Sequence, residues 1–348
     1  MALDVISYSI ASKGKDGING GNARLVKPEV YASIYTPYNL ETNKKFFDLA
    51  ASCFDGAFLC IEVCPAWSGS GSPWNFDETK ENDFESYRTI PSMDQLQSIK
   101  TYCDTVNCKI KGIKFHNDRI RTLFINGKTS SSPVTVFEWW TKYVSLVNSV
   151  CGIFTPESGT EYLEILNETS LTGFTDTQCA QINTAVTAWE TDGYKVGLSG
   201  ICGEPIARNL SVNEVSAHIY QNCGYKGEKS TAQDVANAHI FGIGSRNLNQ
   251  NINKCKENNS NIKCGITEIG CLSIWNKFSN PENYSLSGET VDTTGRAQSV
   301  FTEGVLKAYS DTELYDFVVL YYVNDNNGYF NTEPVKEVLK RYLNKGGA

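Results

Sequence analysis

The chain has 348 residues, 41% hydrophobic and 20% charged, with 31 basic against 39 acidic side chains and a net charge of −8. This composition excludes a disordered tail, a collagen-like fibre and a disulfide-stapled miniprotein, and the chain is long enough to bury a large core. An acidic balance with no Lys/Arg block also argues against nucleic acid as a partner.

No apolar run approaches the ~18 residues that span a bilayer, so no membrane insertion is expected. The start, Met1-Ala2-Leu3-Asp4-Val5-Ile6-Ser7-Tyr8, has no basic stretch followed by a long apolar core, and no signal peptide is read there. Residues 1–22 stand apart as an arm. A short mixed segment runs to Lys13, and Gly14 to Asn22 is Gly- and Asn-rich linker chemistry. Residues 23–348 read as one domain.

Within that domain, runs rich in Val, Ile, Tyr and Phe alternate with helix-period segments. Strand Tyr31–Tyr35 is followed by helix Asn43–Ala51, and strand Gly56–Val63 by helix Met93–Thr105. Strand Ile110–Phe115 is followed by helix Thr135–Val150. Strand Tyr162–Leu166 is followed by helix Asp176–Glu190, with Thr175 as its N-cap. Strand Lys195–Ile201 leads into a short, poorly periodic crossover, Gly203–Asn213. Strand Val215–Tyr220 precedes helix Ala232–Glu257, strand Lys263–Ile269 precedes helix Thr293–Tyr309, and strand Phe317–Val323 precedes helix Glu333–Leu343. Eight such units predict an α/β fold, a closed (β/α)8 TIM barrel with a short N-terminal extension.

Twelve cysteines are scattered along the chain with no zinc-type spacing. An even number suits paired cysteines in a secreted fold. A chain of this size does not need staples, and reduced thiols buried as small hydrophobes are the expectation.

In a barrel, chemistry sits where the strands end. Strand two exits with Glu62, then Trp67 in a long loop to Trp74, and strand three with Lys114-Phe115-His116-Asn117-Asp118. Strand four exits with Asn167-Glu168, strand five with Glu204, strand six with His218-Ile219-Tyr220, strand seven with Glu268 and strand eight with Tyr321-Tyr322. Two carboxylates converging on one cleft are what glycosidic hydrolysis requires. One protonates the leaving oxygen, and the other attacks the anomeric carbon or activates water. Aromatic side chains suit sugar faces and amides suit hydroxyls.

An Asn-Glu pair ending strand four, a His-x-Tyr on strand six and a Glu ending strand seven resemble the pattern of clan A glycoside hydrolases, retaining (β/α)8 enzymes, over about residues 25–345 as an arrangement. The resemblance implies Glu168 as general acid/base, Glu268 as nucleophile and Asn167 as a ligand of the 2-hydroxyl. It also implies Tyr220 as a hydrogen-bond partner of the nucleophile and His218 as part of the floor. The carboxyls should then lie about 5–5.5 Å apart, with the pKa of Glu168 raised and Glu268 ionised. The chain departs from the pattern twice. No Arg leaves strand two, and Tyr321 and Tyr322 stand where many members place a Trp.

Each residue also has a plainer reading. His218 and Tyr220 serve equally as satisfied core residues, and Glu168 as a solvated turn. Glu268 sits in an otherwise apolar segment, where a buried carboxylate needs a partner or a role. His116 and Asp118 have metal-like spacing but lack a third ligand; His116 is read as a substrate hydrogen-bonder, and no metal or cofactor is expected. Glu62 and Glu204 are rival carboxylates. Trp67, Trp275 and Tyr321 are candidate sugar platforms, while Trp139, Trp140 and Trp189 belong to helices.

Residues 1–13 resemble the starts of phage tail-fibre and baseplate proteins. That resemblance implies a virion-mounted protein, folded in a bacterial cytoplasm, with other tail or baseplate proteins as partners through residues 1–22. Asn167-Glu168-Thr169 is a glycosylation acceptor whose glycan would block the proposed site, which argues against a eukaryotic secretory route. The expectation is a retaining hydrolase of a β-linked polysaccharide or cell-surface glycan. Two alternatives stand beside it: a non-catalytic glycan-binding or structural tail protein on the same scaffold, and a secreted bacterial glycosidase.

Overall fold

The computed structural model describes residues 24–35, 39–63, 90–116, 136–168, 174–200, 210–224, 226–281, 283–326 and 328–345. The arm at 1–22 and most of the crossover Gly203–Asn213 lie outside the described residues, as do Trp67, Trp74, Asp118 and Glu204. The strands are β1 (Glu29–Tyr35), β2 (Gly56–Glu62), β3 (Ile110–His116), β4 (Tyr162–Asn167), β5 (Lys195–Ser199), β6 (Glu214–His218), β7 (Lys263–Ile269) and β8 (Phe317–Leu320). They close into a barrel in sequence order, each parallel to the next, with β8 returning to β1. The helices are α1 (Leu40–Cys53), α2 (Met93–Thr105), α3 (Val136–Cys151), α4 (Asp176–Thr191), α5 (Ala232–Phe241), α6 (Ile243–Asn258), α7 (Arg296–Tyr309) and α8 (Glu333–Leu343). This is the (β/α)8 barrel that the alternating pattern predicts.

Local chemistry sets several boundaries. Ser92 and Gln95 form a capping box at α2, and Thr175 and Gln178 another at α4. Each such cap contributes about 1 kcal/mol. The helix expected over Ala232–Glu257 is two helices. Gly242 breaks it in an extended conformation (φ −61°, ψ 139°), and a Cβ there would fall 2.3 Å from Gln221 Oε1. The last strand stops at Leu320, short of the expected Val323, because Tyr321 and Tyr322 turn across the barrel mouth. The strand expected over Val215–Tyr220 ends at His218, which leaves Tyr220 in the following loop.

The strands are buried on both faces, which is why they read as nearly continuous apolar runs. Outward residues such as Leu59, Ile113, Leu163 and Ile266 join the helices in one core. The lumen begins with an aromatic plug of Tyr31, Phe58, Tyr162 and Phe317. Two residues further along the strands the lumen turns polar: Cys60, Lys114, Glu164, Ser199, Ser216 and Thr267 are all buried. A closed barrel of this kind carries its chemistry at the end towards which all eight strands run. The ten described cysteines are free thiols, all buried except the half-buried Cys151. Among the described residues no helix is long and apolar enough to cross a membrane.

Candidate active site

Glu168 follows β4 directly, with a left-handed φ of 46°. A non-glycine residue holds that conformation at a cost of about 1–2 kcal/mol. Its backbone N–H donates to Ser199 O at 2.9 Å, which ties it to the end of β5. Its side chain is about half exposed, with Oε1 2.6 Å from His218 Nδ1. Gly200 (φ 74°) leaves room for this pair, since a Cβ there would lie 3.0 Å from His218 Nδ1 and 3.2 Å from Glu168 Cγ. The hydrogen bond from His218 outweighs burial and lowers the carboxyl below its ordinary value. This corrects the expectation of a raised pKa: the carboxyl has an imidazole partner rather than an apolar pocket.

Glu268 lies on β7 and is 5% exposed. Burial alone would raise its carboxyl. The charges of His218, Lys114 and His116 outweigh that and pull it down to about 2. Lys114 Nζ donates to Oε1, Tyr220 Oη donates to Oε2 at 2.8 Å, and His218 Nδ1 stands 3.5 Å from Oε2. Glu268 is thus an ionised carboxylate held at both oxygens. Glu168 and Glu268 sit in contrasting settings, one facing the solvent and one in the floor, with His218 between them.

Lys114 is the residue that sequence reasoning passed over. It is 2% exposed on β3, its ammonium 3.0 Å from His218 Nε2 and 5.8 Å from the centre of the Tyr321 ring. Burial would discharge it, but the Glu268 and Glu164 carboxylates outweigh burial and raise its pKa. The available signal was its inward period, two residues after Gly112 and two before His116, in a strand otherwise apolar around it. A lysine buried there must be paired.

The other expected residues divide. Asn167 is 1% exposed at the end of β4, opposite Ser199. His116 ends β3 opposite Glu62, with Nδ1 3.3 Å from Tyr35 Oη. Tyr321 packs edge-on against Tyr35 and Tyr284 at 6.1 and 6.2 Å, and Tyr322 lies 5.0 Å from Tyr35. Together these rings form an aromatic wall beside Glu268. Trp275 is engaged elsewhere, against Phe278 at 5.5 Å and under the Arg296 guanidinium at 5.7 Å. Trp67 lies outside the described residues.

One ligand atom each from Glu168, His218 and Glu268 falls within 4.8 Å of the others. Distance alone would let them hold a metal ion. The Lys114 ammonium already places a positive charge on Glu268 Oε1 and beside His218, and a divalent cation would have to sit against it. The arrangement brings two carboxyls together, one facing the solvent and one shielded from water, with His218 between them.

No family model matches the sequence, and no curated protein matches it. Solved structures share the fold. A structure described as a complex of a GH113 β-1,4-mannanase has a TM-score of 0.58 at 11% identity and covers 92% of this chain and 99% of its own. The β-glucuronidase of Ruminococcus gnavus has a TM-score of 0.50 at 9% identity and covers 91% of this chain, which spans half of that protein. The structural neighbours are glycoside hydrolases, and the likeness is one of fold.

Proposed function

We propose that the protein is a retaining glycoside hydrolase of a β-linked polysaccharide, with Glu268 as nucleophile and Glu168 as acid/base. The observation that carries this reading is the carboxylate pair, with an oxygen of each within 4.8 Å of the other. That spacing favours retention, since inverting enzymes part their carboxyls by roughly 6.5–9.5 Å to admit a water.

Glu268 attacks the anomeric carbon while Glu168 gives its proton to the departing oxygen, and the glycosidic C–O bond breaks. Water then attacks the glycosyl ester and returns a proton to Glu168. Lys114 and Tyr220 hold the Glu268 carboxylate in place before attack and stabilise it again when the ester is cleaved. The tyrosine wall of Tyr35, Tyr321 and Tyr322 suits the apolar face of a pyranose. The fold likeness to a β-1,4-mannanase makes β-1,4-mannan the first substrate to try.

The test is release of reducing ends from β-1,4-mannan, xylan and aryl glucuronides, with proton NMR of the first anomer formed. Glu268→Gln is expected to cut turnover by at least about 10³-fold while binding survives. Equal rates in Glu268→Gln, or binding without cleavage of any of these substrates, would favour the non-catalytic glycan-binding alternative. Mounting on a phage tail through residues 1–22 is a separate proposal that rests on the sequence resemblance of 1–13; antibody labelling of purified particles tests it.

A further inference from the structure

The polar midsection of the barrel holds two carboxyls that this chemistry leaves unused. Glu164 on β4 and Glu214 on β6 are both fully buried. Neither oxygen of Glu214 has a hydrogen-bond partner among the described residues, and nor does Oε2 of Glu164. Glu214 packs onto Gly197 so closely that a Cβ there would fall 1.3 Å from its Oε2. Burial pushes the Glu214 carboxyl well up, and Glu164 adds to this whenever it is ionised, so Glu214 stays neutral.

From Glu164 an unbroken chain of buried groups leads to the rim. Ser216 Oγ donates to Glu164 Oε1 at 2.6 Å, and Thr267 Oγ1 lies 3.0 Å from Ser216 Oγ. Ser199 Oγ lies 3.1 Å from Thr267 Oγ1 and 2.7 Å from His218 Nε2. His218 Nδ1 completes the chain, 2.6 Å from Glu168 Oε1. Three hydroxyls and one imidazole, each able both to donate and to accept, thus join a deep carboxyl to the exposed one.

We propose that this chain is a proton wire through which Glu164 and Glu168 share one proton, so that Glu168 can draw from inside the barrel the proton it gives to the leaving group. The role given to Glu168 rests on the glycosidase reading above.

The chain has two directions. In the first, Glu164 bears the proton and donates to Ser216, each hydroxyl donates to the next, Ser199 donates to Nε2, and Nδ1–H donates to ionised Glu168. In the second, every bond reverses. Glu168 bears the proton and donates to Nδ1, Nε2–H donates to Ser199, and the hydroxyls donate inward to ionised Glu164. Passing from the first to the second breaks one O–H bond at Glu164 and forms one at Glu168. Each hydroxyl gives up one proton and takes another, the imidazole gains one at Nε2 and loses one at Nδ1, and no charge or redox partner is left over. With both ends protonated, or both ionised, two neighbouring groups in the chain face each other badly. The wire therefore couples the ends, and uptake at one favours release at the other.

The surrounding charges permit the exchange. Glu164 is faced by Lys114 of β3, neutral Glu214 of β6 and the Cys60 thiol of β2, and Glu214 in turn interacts with Tyr162 and Asp316. Lys114 is thus the countercharge when Glu164 ionises. At the outer end Glu168 is faced by His218, Glu268 and Lys114. Lys114 Nζ also stands 3.0 Å from His218 Nε2; it can donate there beside Ser199 in the first direction and faces the Nε2–H in the second, so it biases the wire towards the first.

His218 reports the direction of the wire, and the chain contains only three histidines. The test is a pH titration of the ¹⁵N-histidine-labelled full chain by long-range proton–nitrogen NMR, with assignment from His116→Gln and His239→Gln. In the wild type, with one proton already on the pair, the ring proton is expected to move from Nδ1 to Nε2 with pH only as a second proton, from solvent, reaches Glu168 against the protonated inner end. Glu164→Gln removes the inner group that can exchange a proton with Glu168 and so abolishes the coupling, and the midpoint should rise by about one pH unit, the scale at which groups count as coupled. Thr267→Val cuts the wire and should also raise the midpoint, while Thr267→Ser, which restores a hydroxyl, should leave it at the wild-type value. If Thr267→Val folds poorly, Ser216→Ala breaks the same wire and must give the same rise. A midpoint unmoved in Glu164→Gln and in the cut-wire variant, or moved equally in Thr267→Ser, would overturn the proposal. The titration needs no substrate, so its outcome is separate from that of the hydrolase assays.

Discussion

Lys114→Met is the most informative single change, because it removes the buried cation while keeping an unbranched stem of similar length. Lys114 is 2% and Glu268 6% exposed at their side chains, so water cannot replace the lost partner. Glu268 is held at about 2 against an ordinary 4.5. A depression of that size corresponds to about 3 kcal/mol of folding stability. The folded carboxyl binds its proton less readily than the unfolded one, so this stability is fully present above pH ~4.5 and is lost as the pH falls towards 2. Breaking a buried pair by removing one partner costs roughly 3–5 kcal/mol, which agrees. In urea titrations at pH 7, Lys114→Met is expected to lie about 3 kcal/mol below wild type at an unchanged m-value. It should also lose part of the wild type's decline between pH 4.5 and 2, because burial is then opposed by His218 and His116 without the lysine. Lys114→Met combined with Glu268→Gln removes charge and partner together and should recover most of the loss. A single variant within about 0.5 kcal/mol of wild type, a size ordinary for surface substitutions, or one with the full acid slope intact, would refute the claim that Lys114 carries the charge balance of the floor.

Two further changes probe the same site from other sides. Tyr220→Phe removes the 2.8 Å donor to Glu268 Oε2; a hydrogen bond to a charged group is worth about 1.5–3 kcal/mol, so kcat/KM on a cleaved glycan should fall roughly 10- to 100-fold. The acid limb of its pH profile should also move to higher pH as Glu268 becomes easier to protonate, and a limb that stays put would show that Tyr220 does not hold the carboxylate. Gly200→Ala forces a side chain into a left-handed conformation and against the Glu168–His218 pair; it should cost about 1–2 kcal/mol in thermal melts and lower kcat, and wild-type values for both would refute the packing argument.

Much of the barrel was legible because its signals are local. Parallel strands buried on both faces appear as short apolar runs, and β7 keeps the expected bounds Lys263–Ile269. Helix α2 keeps its bounds because Ser92 and Gln95, which cap it, are visible in the sequence. Asn167, Glu168 and Glu268 were legible as polar residues at strand ends. Lys114 was not, because its partner Glu268 is 154 residues away and nothing local marks the pair. Ser199, Ser216 and Thr267 are ordinary strand residues until closure of the barrel stacks them. The break at Gly242 was missed because an isolated glycine is tolerated inside a helix; what forbids continuation is Gln221 from another element. The pKa direction at Glu168 was misjudged for the same reason, since burial of a strand end is local but its contact with His218 is tertiary.

The source of the cation shows which parts of such a site are constrained. In the clan A pattern that the chain resembles, many members carry an Arg leaving strand two, and here that strand ends in Ile61-Glu62-Val63. A carboxylate as buried as Glu268 still needs a positive charge, and that requirement fixes a place in the floor rather than a position in the chain. Strand β3 meets it, because Lys114 lies beside Cys60 of β2 in register and points into the same lumen. The exchange is not neutral. An Arg presents a rigid fork suited to one carboxylate, whereas an ammonium is a point charge with three separate donors. Lys114 uses this freedom to reach Glu268 Oε1 and His218 Nε2 at once. His218 in turn holds Glu168. A single lysine therefore touches Glu268 directly and Glu168 through one ring, so loss of Lys114 must disturb both carboxyls, whereas loss of Tyr220 acts first on Glu268.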